Sequence, residues 1–255
     1  MFELTGKTAV ITGSSRGIGL AIAQHMADSG ANVVVSSRNQ KSCDMAAQEI
    51  NSNHPGAAIA IAANISSKLD IHRLINAAEE KFGSVDILVC NAASNPHFGS
   101  QLEIPDEAFR KTLENNILST NWLVKEVAPA MKEKRSGSII VISSAGGLSG
   151  TSVLGAYTIT KAADFQLARN LAQELGPFGI TVNCISPGLI KTDFSKALWD
   201  DAVTLEDTTK LTPLRRIGAP SEIAGAAIFL ASEAGKFVTG HNLVVDGGVS
   251  TSSML

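Results

Sequence analysis

Short, almost uninterrupted apolar runs alternate along this chain with stretches whose apolar residues recur every three to four positions. The first pattern marks strands buried on both faces, the second amphipathic helices. Thr8–Thr12 is the first strand run, and residues 17–29 read as a helix closed by Gly30. Asn32–Ser36 is a second strand, followed by a polar helix over about 40–52. Residues 57–63 read as a third strand, 69–82 as a helix and Ile87–Cys90 as a fourth strand. Residues 104–134 read as one long helix, with Asp106 and Glu107 near its start and Gly137 just past its end. A fifth strand is expected over 138–143, a helix over 157–175 ending at Gly176-Pro177, and a sixth strand over 181–186. Ser221 is expected to cap a helix reaching Leu230, and Asn242–Val245 is a seventh strand.

Apolar strands separated by helices in this order imply an α/β protein with a parallel sheet covered on both faces. Right-handed crossovers then predict a single doubly wound, Rossmann-type, seven-stranded sheet. No linker or composition break divides the chain, so one domain is expected over residues 1–255, with residues 189–215 as a substrate lid within it. Ligands of such sheets bind at the carboxyl ends of the strands. The segments with unusual chemistry fall at those ends: 12–19, 36–38, 63–65, 90–94, 143–147 and 186–192.

Composition narrows the function classes. The 255 residues are 44% hydrophobic, enough for a large core, and the net charge is −3 from 21 basic and 24 acidic residues. No basic run indicates nucleic acid, and Lys132, Lys134 and Arg135 read as a solvated helix end. Cys43, Cys90 and Cys184 are far apart and form no C-x-x-C pair, which argues against a disulfide framework or a zinc site and for a reducing compartment. MFELTGKTAV has neither a basic nor an apolar leader segment, and no apolar run approaches the roughly 20 residues of a membrane span. A soluble, cytoplasmic protein is expected, without a membrane partner.

Two motifs carry the candidate chemistry. Thr12-Gly13-Ser14-Ser15-Arg16-Gly17-Ile18-Gly19 follows the first strand and opens a helix. Such a turn offers unpaired N–H groups and a partial positive charge to a pyrophosphate. Gly13 permits the tight turn, Gly17 lets the backbone approach the phosphates, and Gly19 allows close packing of the helix. Tyr157 and Lys161 then share one face of a helix, one turn apart. A free phenol titrates near pH 10, and a neighbouring ammonium group favours its ionised form. A phenol tuned in this way can move a proton on or off an alcohol oxygen.

The second strand ends in Ser36-Ser37-Arg38, where an NAD site usually carries an acid. Without that carboxylate a 2′-phosphate is not repelled, and Arg38 and Arg16 can both reach it. NADP(H) is therefore favoured over NAD(H).

Together with Asn91-Ala92, Asn116, Ser143-Ser144, Asn183, Pro187-Gly188 and Thr192, these motifs resemble the short-chain dehydrogenase/reductase family over essentially the full chain. The resemblance implies roles residue by residue. Tyr157 is the general acid/base, and Lys161 lowers its pKa and binds the nicotinamide ribose. Ser144 bonds the substrate oxygen in preference to Ser143. Asn116, in preference to Asn115, holds a water of a proton relay to Lys161. Gly13, Ser15, Arg16, Gly17, Ile18, Gly19, Ser37, Arg38, Asn64, Ile65, Asn91 and Ala92 line the cofactor. Pro187, Gly188, Ile190 and Thr192 border its nicotinamide. The family also usually forms tetramers, through the helices holding Asn116 and Tyr157 and through the last helix and strand. Leu123, Val124, Val127 and Met131 are candidates for one interface, and Ile228, Phe229, Leu243, Val244 and Val245 for the other.

The chain departs from the family in two places. Cys90-Asn91-Ala92-Ala93 replaces the frequent Asn-Asn-Ala-Gly, so Ala93 narrows the space beside the ribose. Asn64 replaces a frequent Asp at the adenine, while keeping an acceptor oxygen. Cys90 reads as a packing residue.

Val35-Ser36-Ser37-Arg38, residues 91–96 and residues 186–192 look like NADPH-dependent carbonyl and retinal reductases usually found in peroxisomes. Ser253-Met254-Leu255 is a poor peroxisomal address, because Met254 stands where a basic residue belongs. The next nearest group is the 3-oxoacyl carrier-protein reductases, but Gln173 stands where these usually carry a basic residue. The expected function is interconversion of a secondary alcohol and a carbonyl by hydride transfer. The alternatives are a 3-oxoacyl carrier-protein or CoA reductase, a dehydratase or epimerase, and a non-catalytic dinucleotide-binding regulator. Phe98, Leu148, Phe194, Leu198 and Trp199 are candidates for an apolar substrate wall, and His97 reads as a loop residue.

Overall fold

A computed structural model describes residues 1–251, so Ser253-Met254-Leu255 lies outside the described residues. Seven strands form one sheet: β1 (Thr8–Thr12), β2 (Asn32–Ser36), β3 (Ala58–Ala60), β4 (Ile87–Cys90), β5 (Gly137–Ile142), β6 (Ile180–Pro187) and β7 (Asn242–Val245). Their order is β3-β2-β1-β4-β5-β6-β7, and every pairing is parallel. Strand order reverses between β1 and β4, which opens a crevice at the carboxyl edge.

The helices are α1 (Gly17–Asp28), α2 (Gln40–Asn53), α3 (Lys68–Phe82), α4 (Asp106–Leu113), α5 (Ser119–Lys134), α6 (Gly155–Leu175), α7 (Ala202–Leu211) and α8 (Pro220–Ala231). Alternation along the strands sorts the apolar side chains into two layers. Ala9, Ile11, Val33, Val35, Ile140 and Ile142 pack with α1, α2 and α8 on one face. Val10, Val34, Ile139 and Val141 pack with α3, α5 and α6 on the other. Ile11, Ile22, Leu74, Leu88, Leu123 and Ile139 are among the largest side chains with almost no exposure. Each contributes roughly 1.5–3 kcal/mol by its burial.

Several boundaries differ from the sequence expectation. The segment 104–134 is not one helix: a π turn, Glu114–Leu118, separates α4 from α5. Periodicity does not register one extra residue in a turn, and this one carries Asn116. Arg135, in the left-handed region at φ 53°, ends α5 in place of the expected glycine, and Gly137 opens β5. A Cβ at Gly137 would lie 2.5 Å from Met131 Sδ, so a larger residue there would displace the Met131 side chain. Ser221 does not cap α8. Pro220 starts that helix, and the Glu222 carboxylate accepts from the N–H of Ala219 at 2.8 Å. The third strand is only three residues long. Past it, the Ile61 and Ala63 N–H groups still donate to Val35 and Ser37. The segment 189–215 holds a 3₁₀ turn, Asp193–Leu198, and α7, neither of which the pattern indicated.

The expected interface residues on α5 are corrected more sharply. Leu123, Val124, Val127 and Met131 are buried in the second core layer and cannot meet a partner. Leu118 and Ile159 are the apolar side chains that these neighbouring segments leave half exposed. Ile228, Phe229 and all of β7 are only partly covered, with Ile228, Phe229, Leu243 and Val245 packed against the first core layer.

Candidate active site

β1 delivers the glycine turn to the crevice. Gly13 and Gly17 both lie in the left-handed region, at φ 66° and 60°. Nothing larger fits at Gly13 or Gly19: a Cβ at Gly19 would stand 2.5 Å from the Gly13 carbonyl and 2.6 Å from Asn91 Nδ2. The packing that Gly19 permits is therefore against the turn itself. Asn91, at the end of β4, donates from Nδ2 to the carbonyls of Thr12 at 2.9 Å and Gly13 at 3.1 Å. Thr12 Oγ1 accepts from the N–H groups of Asn91 and Ala92, both at 3.1 Å. Asn91 and Ala92 thus brace the turn from beneath.

Ser14, which the sequence reading passed over, accepts from the Ser36 N–H at 2.9 Å and donates to the Ile11 carbonyl at 2.6 Å. It fixes the β2 end, and with it Ser37 and Arg38, beside the turn. Arg16 and Arg38 are both exposed there. Arg16 pairs at 3.5 Å with Asp193 of the segment expected to form a lid. α1 begins at Gly17 with no side-chain cap and no acid in its first turn, which suits an anion. The glycine cradle, the helix end and the two arginines fit a dinucleotide. Asn64 is exposed, its Oδ1 accepting from the Ser66 N–H at 3.2 Å. Ile65 is half-buried next to it.

β5 and α6 present the second motif. Ser143 and Ser144 follow β5, and only one keeps a free hydroxyl proton. Ser143 Oγ donates to the Lys161 carbonyl at 2.8 Å. Ser144 Oγ accepts from the Gly146 N–H at 3.1 Å, which leaves its proton to offer. Lys161 is buried, its Nζ donating to the Ile142 carbonyl at 2.9 Å and lying 5.5 Å from the centre of the Tyr157 ring. Burial alone lowers the lysine pKa. The Asp164 carboxylate and the Tyr157 phenol more than offset that, so the net shift is upward.

Asn116 is buried, and its side chain is fully engaged. Oδ1 accepts from the Ser94 N–H at 2.9 Å, and Nδ2 donates to the Ser94 carbonyl at 3.1 Å and to Thr160 Oγ1 at 3.0 Å. Thr160 in turn donates to the Tyr157 carbonyl at 2.7 Å. Asn116 therefore ties the β4 end to the turn of α6 that bears Tyr157. Asn115 makes no bond to α6 among the described residues: it donates to Ser94 Oγ at 2.8 Å and accepts from Ser66 Oγ. Thr160 and Asp164 were missed by sequence reading. Two polar residues on the buried face of α6 are the signal that would have found them.

Gly188 passes against Asp246, where a Cβ would come within 2.8 Å, and its N–H donates to Val245. Pro187 ends β6, and Ile190 is buried beyond it. Thr192 reaches the glycine turn, its Cγ2 standing 3.4 Å from where a Gly17 Cβ would lie. Phe194 lies beside Tyr157, ring centres 6.2 Å apart, and like Phe98 and Leu148 it is exposed. His97 contacts the Ser100 carbonyl of its own loop. Asn183 lies deeper, bonding Val238 and His241 ahead of β7. Cys90 is inert packing, since burial pushes its thiol up to about 12.

Residues 13–250 match the family model described as enoyl-(acyl carrier protein) reductase. Dehydrogenase/reductase SDR family member 4 of Oryctolagus cuniculus is 40% identical over 245 residues, covering 96% of this chain and 94% of the relative. The chain belongs to the short-chain dehydrogenase/reductase family. It is an oxidoreductase of alcohol and carbonyl groups. Among solved structures, a gluconate 5-dehydrogenase from Burkholderia cenocepacia J2315 in complex with NADP and tartrate aligns with TM-score 0.93 at 32% identity, over 99% of this chain and 98% of that one. A 7α-hydroxysteroid dehydrogenase complexed with NADH and 7-oxo glycochenodeoxycholic acid aligns with TM-score 0.92 at 38% identity, over 97% and 95%. Members of this fold thus take either nicotinamide cofactor. No helix among the described residues is long and apolar enough to cross a membrane.

Proposed function

We propose that this protein is an NADP(H)-dependent oxidoreductase that interconverts a secondary alcohol and a ketone, with Tyr157 as general acid/base. The observation that carries the reading is the buried Lys161 ammonium 5.5 Å from the centre of the Tyr157 ring, and Ser144, just past β5, has a hydroxyl proton to offer. The cofactor, when bound, supplies or accepts the hydride. In the reductive direction Ser144 and Tyr157 donate hydrogen bonds to the carbonyl oxygen as it gains negative charge, and Tyr157 delivers the proton. Lys161 stabilises the phenolate left behind. Asn116 fixes the Tyr157 turn. A water held by Asn116, in a proton relay to Lys161, belongs to the same reading.

Arg16 and Arg38, with no carboxylate at the β2 end, support the preference for NADP(H). Gly13, Ser15, Gly17, Ile18, Gly19 and Ser37 line the phosphates and ribose on this reading, Asn64 and Ile65 the adenine, and Pro187, Gly188, Ile190 and Thr192 the nicotinamide. The whole of residues 1–255 serves as one cofactor-binding and catalytic unit, with residues 189–215 as its lid. The Phe194 contact with Tyr157 supports that lid. A homotetramer and a cytoplasmic location complete the reading, the latter on three buried free cysteines.

A panel of ketones and secondary alcohols, assayed with NADPH and NADH side by side, tests it. Turnover with NADPH on at least one ketone is expected. Cofactor binding without turnover on any of them would favour a non-catalytic regulator. Exposed Gln173 still gives no support to docking of an acidic carrier protein.

A further inference from the structure

Asp164 is a buried acid one turn beyond Lys161, and the chemistry above gives it no part. It has no exposure, and its Oδ2 lies 3.4 Å from Lys161 Nζ. Its Oδ1 has no hydrogen-bond partner among the described residues. An isolated carboxylate in such a place is strongly disfavoured, and packing alone would be served better by an apolar side chain. Burial pushes the Asp164 carboxyl up, and Lys161 pulls it partly back.

The groups facing the pair from neighbouring elements do not compete for it. Cys184 of β6 donates from Sγ to the Asp164 carbonyl at 3.4 Å, and its thiol is held protonated by burial. Cys90 of β4 is protonated for the same reason. Ser143 at the β5 end and Thr120 of α5 are neutral, and Arg169 lies on an exposed part of α6. Lys161 is thus the cation that Asp164 meets, and Tyr157 the third member of the group.

We propose that Asp164 is a positioning residue for the reaction: it holds the Lys161 ammonium and cancels part of the positive charge that Tyr157 meets. Tyr157 then keeps its proton to higher pH than an uncompensated Lys161 would allow, which suits donation to a carbonyl oxygen. The catalytic consequence rests on the reading of Tyr157 as the acid/base. The charge compensation does not, and can be read without turnover.

Tyr157 is the only tyrosine in the chain. The near-ultraviolet absorbance of tyrosinate during alkaline titration therefore reports this residue alone. Asp164→Asn and Asp164→Leu are each expected to move the titration midpoint to lower pH. At the wild-type midpoint, more than half of the phenol should then be ionised. Asp164→Glu, which keeps the charge, should restore the wild-type curve. With NADPH and a ketone, the alkaline limb of the pH–rate profile should move the same way. Coincident titrations in folded Asn or Leu variants, with only the melting temperature changed, would overturn the proposal. Should neither variant fold, carbon-13 NMR of the wild-type aspartate carboxyl groups decides it. Asp164 must be ionised at the pH of maximal reduction, and a protonated Asp164 there overturns the idea. A shifted titration in Asp164→Asn, alongside full turnover in Tyr157→Phe, would sink the acid/base reading and leave the compensation standing.

Discussion

Tyr157→Phe removes one oxygen, and on the proposed chemistry the proton that the reaction needs. Because general acid–base groups contribute on the order of 10²–10⁴-fold, kcat should fall by at least about 100-fold. NADPH affinity, measured by fluorescence titration, should stay near wild type. Retention of most of the activity would remove Tyr157 from the chemistry. Cofactor choice is set at the same scale, by single side chains at the β2 end. Arg38→Ala should lower kcat/KM for NADPH more than for NADH. Adding Ser37→Asp places a repelling carboxylate there and should widen the change. An unchanged ratio of the two kcat/KM values would mean that the phosphate is read elsewhere, with Arg16 the next residue to test.

At the scale of elements, the glycine turn and the α8 cap carry opposite lessons about space and charge. Gly19→Ala forces a methyl group to within 2.5 Å of a backbone carbonyl. Overpacking of this kind costs about 1–3 kcal/mol, so both melting temperature and cofactor affinity should fall. Gly225, inside α8, has open space around it, and Gly225→Ala should gain roughly 0.5–1 kcal/mol by restricting the unfolded chain. Thermal denaturation of the two variants side by side checks both signs. The cap of α8 sets an acid limb of stability. Arg216, and then the Ala219 N–H, hold the Glu222 carboxyl down from 4.5 to about 2. A depressed pKa contributes stability that is present above 4.5 and is lost as pH falls toward about 2. Both side chains are well exposed, so the effect is modest. Glu222→Gln should flatten the rise of melting temperature across that window, and an unaltered slope would show that the cap contributes nothing there.

For the whole molecule, the partly covered β7 edge with Ile228 and Phe229, together with Leu118 and Ile159, offers apolar surface at the two faces expected to assemble. Isologous contacts through two such faces close into a tetramer with D2 symmetry. Light scattering at micromolar concentration should give about four times the 26.6 kDa chain mass, and a monomer would exclude the assembly.

The order and type of the strands, the glycine turn, and Tyr157 one turn before Lys161 were all legible in the residues. Each is a local property, set by alternation along a strand, by a backbone that needs φ above zero, or by helical spacing. Boundaries were weaker where one residue alters a turn, as at the π turn that carries Asn116. Burial could not be read from type alone: Leu123 and Met131 looked as available to a partner as Leu118, and only packing against the sheet separated them. Nor could direction. Ser143 and Ser144 are neighbours with the same hydroxyl, and the fold turns one into a bond with the Lys161 carbonyl while leaving the other free to donate. Sequence by itself thus determined which chemistry this protein carries and along which elements. Tertiary structure alone decided which groups share a low-dielectric interior, and so brought Asp164 against Lys161, because that depends on what lies across the sheet and not on what lies along the chain.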